Sequence, residues 1–308
     1  FLNYEISSIN NYKNLGNQFE EMGELDKALE FYKKALKFKE AEKDIDLLLD
    51  MGLLYEELGE EQLAKEKFLK ILEIDPNEAR AYYGLGVLYD ERNHYEEALA
   101  YYKKAIELDP DYDRAYFFAA NVYDQLGQKE QAIKYYKKVL ELVPDDFWAY
   151  VNMGSIYEEL GENQKALEYM KKSLLIEEDH YIPLFNIGVI LKKMGRIEES
   201  QVYYQRSIKS NPEYPYSYLN LAILYKEKEE YEKAIEILTK GIYYNRQSAF
   251  LYYNRACIYI HVKKYEQVMK DLSLAVKLYP KFIKHIINDE ELEPIKHLEA
   301  YKALVYKE

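Results

Sequence analysis

The chain has a single cysteine in 308 residues, Cys257. It cannot form an intramolecular disulfide, so nothing argues for an oxidising compartment, and a cytoplasmic setting is expected. No apolar run approaches the roughly 18–20 residues of a membrane span, and no membrane partner is expected. The five histidines, at 94, 180, 261, 285 and 297, are scattered without metal-ligand spacing. The twelve glycines stand singly, with no glycine-rich phosphate loop among them. A catalytic, metal or cofactor site is therefore not expected, and the chain reads as a non-enzyme. No signal peptide is visible. The chain opens Phe1-Leu2-Asn3 without a methionine, which points to a segment whose true N-terminus lies upstream.

Basic charge is also scarce, and unevenly so. Residues 1–146 hold 19 Lys and Arg against 32 Asp and Glu, whereas residues 147–308 hold 23 of each. The whole net charge of −13 thus lies in the first half. Phosphate-rich partners would be repelled, which excludes nucleic acid as an expected ligand. Two readings of the acidic half stand: solubility, or attraction of a basic partner.

What is abundant is periodicity. Gly16, Gly52, Gly86, Ala120, Gly154, Gly188, Ala222 and Ala256 recur every 34 residues, apart from a first gap of 36. Twelve residues after each stands Ala28, Ala64, Ala98, Ala132, Ala166, Ser200, Ala234 or Val268. Within residues 79–112, Tyr82, Leu85, Gly86 and Tyr89 form one helical stripe, and Ala98, Tyr102 and Ala105 form a second after a polar break at Asn93-His94. Pro110 closes the unit, as do Pro76, Pro144, Pro212 and Pro280 elsewhere. The unit is an antiparallel helix hairpin, its small residues letting the helices approach and its large ones filling the space between hairpins. A chain of such units is a solenoid, which works by presenting an extended surface.

These columns resemble the tetratricopeptide repeat family over nearly the whole chain. The resemblance implies an all-α, right-handed superhelical solenoid of eight hairpins, at 9–44, 45–78, 79–112, 113–146, 147–180, 181–214, 215–248 and 249–282. Residues 1–8 are a lead-in, and 283–308 a helical cap in which Asn288 is expected as an N-cap and Pro294 in a first turn. The implied function is a protein–protein interaction scaffold. Most of the 35 tyrosines fall in packing columns, such as Tyr32, Tyr102, Tyr136 and Tyr204.

In this family the first helix of each hairpin lines the concave face. Two residues before the Gly/Ala column stand Asn14, Asp50, Gly84, Phe118, Asn152, Asn186, Asn220 and Asn254. The last four are amides in successive units, and an amide can pair with a peptide N–H and C=O whatever the side chain. They are similar to the asparagine ladder of the repeat superhelix in O-linked N-acetylglucosamine transferases, which grips extended peptides. The alternative is that Asn is simply the consensus of this column. Trp148, Phe117, Phe185, Tyr216 and Tyr253 are expected to flank the ladder, facing either the groove or the seam between hairpins. An acidic stripe is expected from Glu56, Glu57, Asp90, Glu91, Asp124, Glu158 and Glu159, which recur at the repeat period. The carboxylate clamp of co-chaperone repeats is met by Lys13, Asn17 and Arg80 but opposed by Asp50 and Gly84. The expected partner is a protein or extended peptide with a basic segment; a homo-oligomer is also compatible. Two other readings stand beside this one: an assembly module acting through convex or end faces, and the substrate-recruiting region of a larger enzyme.

Overall fold

The computed structural model describes residues 2–306. Residues 1, 307 and 308, the outer ends of the expected lead-in and cap, lie outside the described residues. Eight helix pairs follow one another: α1 (Leu2–Glu21) with α2 (Leu25–Ala35), α3 (Ile45–Glu57) with α4 (Glu61–Ile74), α5 (Ala79–Glu91) with α6 (Tyr95–Leu108), and α7 (Asp113–Gln125) with α8 (Lys129–Leu142). Then come α9 (Phe147–Glu159) with α10 (Asn163–Ile176), α11 (Tyr181–Lys193) with α12 (Ile197–Ser210), α13 (Pro215–Glu227) with α14 (Tyr231–Tyr244), and α15 (Ala249–His261) with α16 (Tyr265–Leu278). The chain ends in α17 (Phe282–Asn288), a 3₁₀ turn (Glu290–Ile295) and α18 (Glu299–Val305). The two compact units are Phe1–Ala149 and Tyr150–Glu308.

In the hairpins whose column residue is glycine, the missing side chain has a specific tenant, an aromatic ring at Gly16, Gly52, Gly86 and Gly188 and Met170 at Gly154. A Cβ added at Gly86 would lie 2.6 Å from the ring of Tyr102, and one at Gly188 equally close to Tyr204. Both tyrosines are fully buried. The large ring of the second helix thus fills the place of the missing side chain on the first helix of the same hairpin. The large residues are expected between one hairpin and the next; these rings also pack within their own hairpin. Successive hairpins then stack, α2 on α3, α4 on α5 and α6 on α7 in the first unit, and α10 on α11, α12 on α13 and α14 on α15 in the second.

The helix boundaries have local causes. Asp44 accepts the Leu47 N–H at 3.0 Å, capping α3, and Pro215 opens α13. The two extra residues of the first repeat are taken up in a 3₁₀ turn, Lys39–Lys43, which buries Ala41. At the tight turn between paired helices, Gly23, Gly59, Gly127, Gly161 and Gly195 have φ of 72–76°. Asn93, Glu229 and Lys263 adopt the same left-handed backbone at 59°, 59° and 55°. That conformation costs an ordinary L residue about 1 kcal/mol or more, most of which glycine avoids. Glu229→Gly and Lys263→Gly should therefore each stabilise the fold by about 0.5–1 kcal/mol. Thermal or urea unfolding of each variant checks this; a loss of stability would mean that the turn is held by its side chain.

The C-terminal segment departs from expectation in detail. Asn288 is the last residue of α17, and its Nδ2 donates to the Lys284 carbonyl at 2.8 Å. The capping residue is Asp289, which accepts the Glu291 N–H at 2.9 Å. Pro294 sits late in the 3₁₀ turn, not in a first turn. Ile286, Leu292, Ile295, Tyr301 and Val305 share one buried cluster with Ala256, Val268 and Leu272 of the last hairpin.

Candidate functional site

The second unit carries the amide column. Asn152, Asn186, Asn220 and Asn254 are all half-buried. Asn220 Nδ2 donates to the Tyr216 carbonyl at 3.0 Å, and Asn254 Nδ2 to the Phe250 carbonyl at 2.8 Å. Each bond uses one amide hydrogen on the residue's own helix, leaving the second hydrogen and the oxygen as pairing capacity. Asn186 Nδ2 lies 4.0 Å from Met170 Sδ, a weak contact.

The expected aromatics divide. Tyr216 is 48% exposed and stacks on Phe250 with ring centroids 5.3 Å apart, a wet aromatic platform beside Asn220 and Asn254. Trp148, in the first unit, is 44% exposed. Phe185 is half-buried, edge-on to Tyr214 and tilted on Tyr204. Phe117 is likewise half-buried, edge-on to Tyr136 and Phe118. Tyr253 is not a groove residue. It is 6% exposed, stacks on Phe282, and its hydroxyl donates to Asp289. The cap covers it, a contact 36 residues away that no repeat spacing announces.

The acidic stripe is not uniform either. Asp124 is paired with Lys129 at 2.6 Å, and Glu158 with Lys193. Lys192 pairs with Glu227 at 2.7 Å, and Lys226 with Glu291 of the cap. Lys129 answers Asp124 within its own hairpin, and the lysines of the second unit answer acids of neighbouring repeats and of the cap, so Asp124 and Glu158 need no outside partner. Glu159 is exposed. Lys13 is tied to Asp44 at 2.6 Å, which removes one of the three clamp matches.

In the first unit the acids crowd together. Asn17, Glu20, Glu21, Asp50 and Glu57 line one open cavity of about 490 Å³. Burial, then the nearby Glu20 carboxylate, pushes Asp50 up to about 6. Glu56 rises from its ordinary 4.5 to about 7 through burial and its hydrogen bond to Glu91. Burial also raises Asp90, although the Tyr102 hydroxyl donates to it at 3.1 Å. A raised carboxyl binds its proton more tightly when folded. Its stabilisation is complete below the unfolded pKa of 4.5 and is lost as pH rises through about 7. Glu56→Gln removes that loss, so the variant should gain about 1 kcal/mol on wild type between about pH 5.5 and pH 8, after discounting for solvent screening. Urea unfolding of both proteins at the two pH values measures the difference; parallel profiles would show that Glu56 is ionised in the folded chain.

One cluster escaped the sequence reading. Cys257 Sγ and carboxylate oxygens of Asp289 and Glu291 lie within 4.8 Å of one another, and His261 Nε2 is 2.6 Å from Glu291 Oε1. A thiol, an imidazole and two carboxylates are donors that zinc accepts. Here, however, Lys226 occupies Glu291, the Tyr253 hydroxyl occupies Asp289, and burial with both carboxylates pushes the thiol up to about 12. The set works as a latch between the cap and the last two hairpins. Beside it, Leu219, Ile223, Lys226, Asn254, Cys257 and His261 help line a cavity of about 490 Å³ at the last rung of the amide column.

Stacked helix hairpins with a patterned first-helix surface define a helical-repeat protein of the α-solenoid class. The chain belongs to the tetratricopeptide repeat family: the family's profiles match residues 10–41, 45–78, 79–112, 101–134, 120–161, 149–180, 183–214, 203–236 and 251–282. Over 70 residues it is 43% identical to the BBSome complex member BBS4 of Bos taurus, a match spanning 23% of this chain and 13% of that protein. A tetratricopeptide repeat protein of Parabacteroides merdae is 20% identical, with a TM-score of 0.60 over 85% of this chain and 99% of that one. YrrB, described as a TPR protein with an unusual peptide-binding site, is 26% identical, with a TM-score of 0.50 over 64% of this chain and 97% of its own. Among the described residues no helix is long and apolar enough to cross a membrane.

Proposed function

We propose that the chain is an interaction scaffold that holds an extended peptide or protein segment against its first helices. The amides of the second unit would pair with the ligand's backbone, and the acidic first unit would favour a basic stretch of it. The observation that carries this reading is the Tyr216–Phe250 stack beside Asn220 and Asn254, each of which retains one amide hydrogen and its oxygen for pairing. The likeness to YrrB, a peptide-binding repeat protein, supports it. Binding of a segment captured by the full chain should weaken by about 1–3 kcal/mol in Asn186→Ala/Asn220→Ala, at about 0.5–1.5 kcal/mol per net hydrogen bond. Calorimetry on both proteins measures this, with unchanged unfolding as the control; equal affinity would remove the ladder.

A second reading, assembly through the second helices, is favoured by Leu175 and Tyr243. They stand two repeats apart in the second unit and are 87% and 65% exposed. Loss of the captured partner in Leu175→Glu/Tyr243→Glu, with Asn186→Ala/Asn220→Ala unaffected, would select it.

A further inference from the structure

The amide column lapses at Gly84 and Phe118, and at that lapse the first unit has a cavity of about 330 Å³. Its floor is Phe68. A Cβ on Gly84 would meet that ring at 2.5 Å, so no amide fits here. Its aromatic wall is Tyr83 and Phe118, edge-on with centroids 5.8 Å apart. Its acidic rim is Glu56 from α3 with Asp90 and Glu91 from α5. On the groove-binding reading above, we propose that this cavity is a specificity pocket for the cationic end of one arginine or lysine side chain of a partner segment.

Three features converge on a cation. Three carboxyl groups meet around a partly buried aromatic cavity, where opposite charge is worth more than in water. The Tyr83 face already carries a guanidinium, that of Arg114, 5.5 Å from the ring centroid. The wall is therefore shaped for a planar cation, in the stacking mode open to Arg and, more weakly, Lys. Arg114 supplies one positive charge, and with Glu56 protonated Asp90 and Glu91 still stand against it, so a second cation has an unmet counter-charge. The volume lies at the small end of the range of about 300–1,000 Å³ usual for ligand pockets, suited to one side chain.

The charged groups facing Glu56 are Glu57 on its own helix, Asp90 and Glu91 on α5, and Arg114 on α7. The proton that Glu56 holds near neutral pH competes with an arriving cation. Binding should therefore release a proton and tighten as pH rises through about 7.

The test uses the full chain and N-acetyl-arginine amide, with N-acetyl-citrulline amide as the uncharged isostere and N-acetyl-glutamate amide as the opposite charge. Backbone amide shifts of Gly84, Val87 and Phe118 are followed by NMR. The arginine probe should saturate these shifts, bind several-fold more tightly at about pH 8 than at about pH 5.5, and exceed citrulline about tenfold, the usual scale of one charge-assisted hydrogen bond. Glu56→Gln/Glu91→Gln, which keeps the volume, should cost about tenfold as well. Arg114→Ala should tighten binding, because it removes the resident competitor. No saturable shift, equal binding of citrulline, or indifference to the double Gln change would overturn the pocket. So would binding of the glutamate probe through Arg114, which would make it an anion site. A partner segment that needs Asn186 and Asn220 but binds the double Gln variant equally would sink the pocket and leave the groove standing. Saturation by arginine in a chain whose ladder captures nothing would do the reverse.

Discussion

Asp271→Ala should cost the last hairpin about 3–5 kcal/mol, because it strands a charge in the core. Asp271 is 1% exposed. It accepts two bonds from Arg255, from Nε at 2.7 Å and Nη2 at 2.8 Å, while Nη1 donates to Thr239 at 3.0 Å. The guanidinium also lies between Tyr252 and Tyr259, 5.9 Å and 5.8 Å from their centroids. At the repeat period, Arg255 stands where earlier hairpins bury Leu85, Met153, Ile187 and Leu221. Asp271 likewise stands where the preceding hairpin has Ile237. The pair has replaced an apolar contact. Arg255→Leu/Asp271→Ile, which restores the column, should be neutral or stabilising by about 1–4 kcal/mol, since a buried ion pair barely repays its desolvation. Urea unfolding of the single and double variants separates the two effects. A harmless Asp271→Ala would show that Arg255 reaches water without its partner.

The cap should matter nearly as much. Leu292 and Ile295 are fully buried against the last hairpin. Truncating either to Ala is expected to cost about 2–5 kcal/mol, and both together somewhat less than the sum, because they share neighbours. Each hairpin in a repeat stack contacts only its neighbours, so the loss should stay local. Hydrogen exchange should quicken in α15 and α16 of Leu292→Ala/Ile295→Ala and stay unchanged in the first unit. A uniform loss of protection would contradict a quasi-one-dimensional stack, and unchanged exchange would mean that the cap is not needed to cover the face.

The division between what was legible and what was not follows the range of each interaction. The 34-residue recurrence of Gly86 and its equivalents, with the second-helix alanines, is a local helical pattern repeated many times. It determines helix hairpins, their stacking and the family. It also showed that the amide column lapses at Gly84 and Phe118, and that negative charge gathers in residues 1–146. A column gives the face of a helix on which a residue lies; it does not give what another element brings to that face. Tyr253 shares its column with residues expected at the groove, yet the cap buries it. Asp124, Asp90 and Glu56 belong to one acidic stripe, yet one is paired to a lysine, one is bonded to a tyrosine hydroxyl, and one holds a proton beside Glu91. Arg255 breaks an apolar column and Asp271 one made mostly of tyrosine, a signal present in the repeat spacing but intelligible only once the two side chains are seen to meet. Sequence alone determined the repeating hairpin, because helix formation and packing within a hairpin depend on residues at most about one repeat apart. Tertiary structure alone decided which polar groups are answered within the chain and which keep pairing capacity. Burial and pairing depend on every element that converges on a point, including those far along the chain.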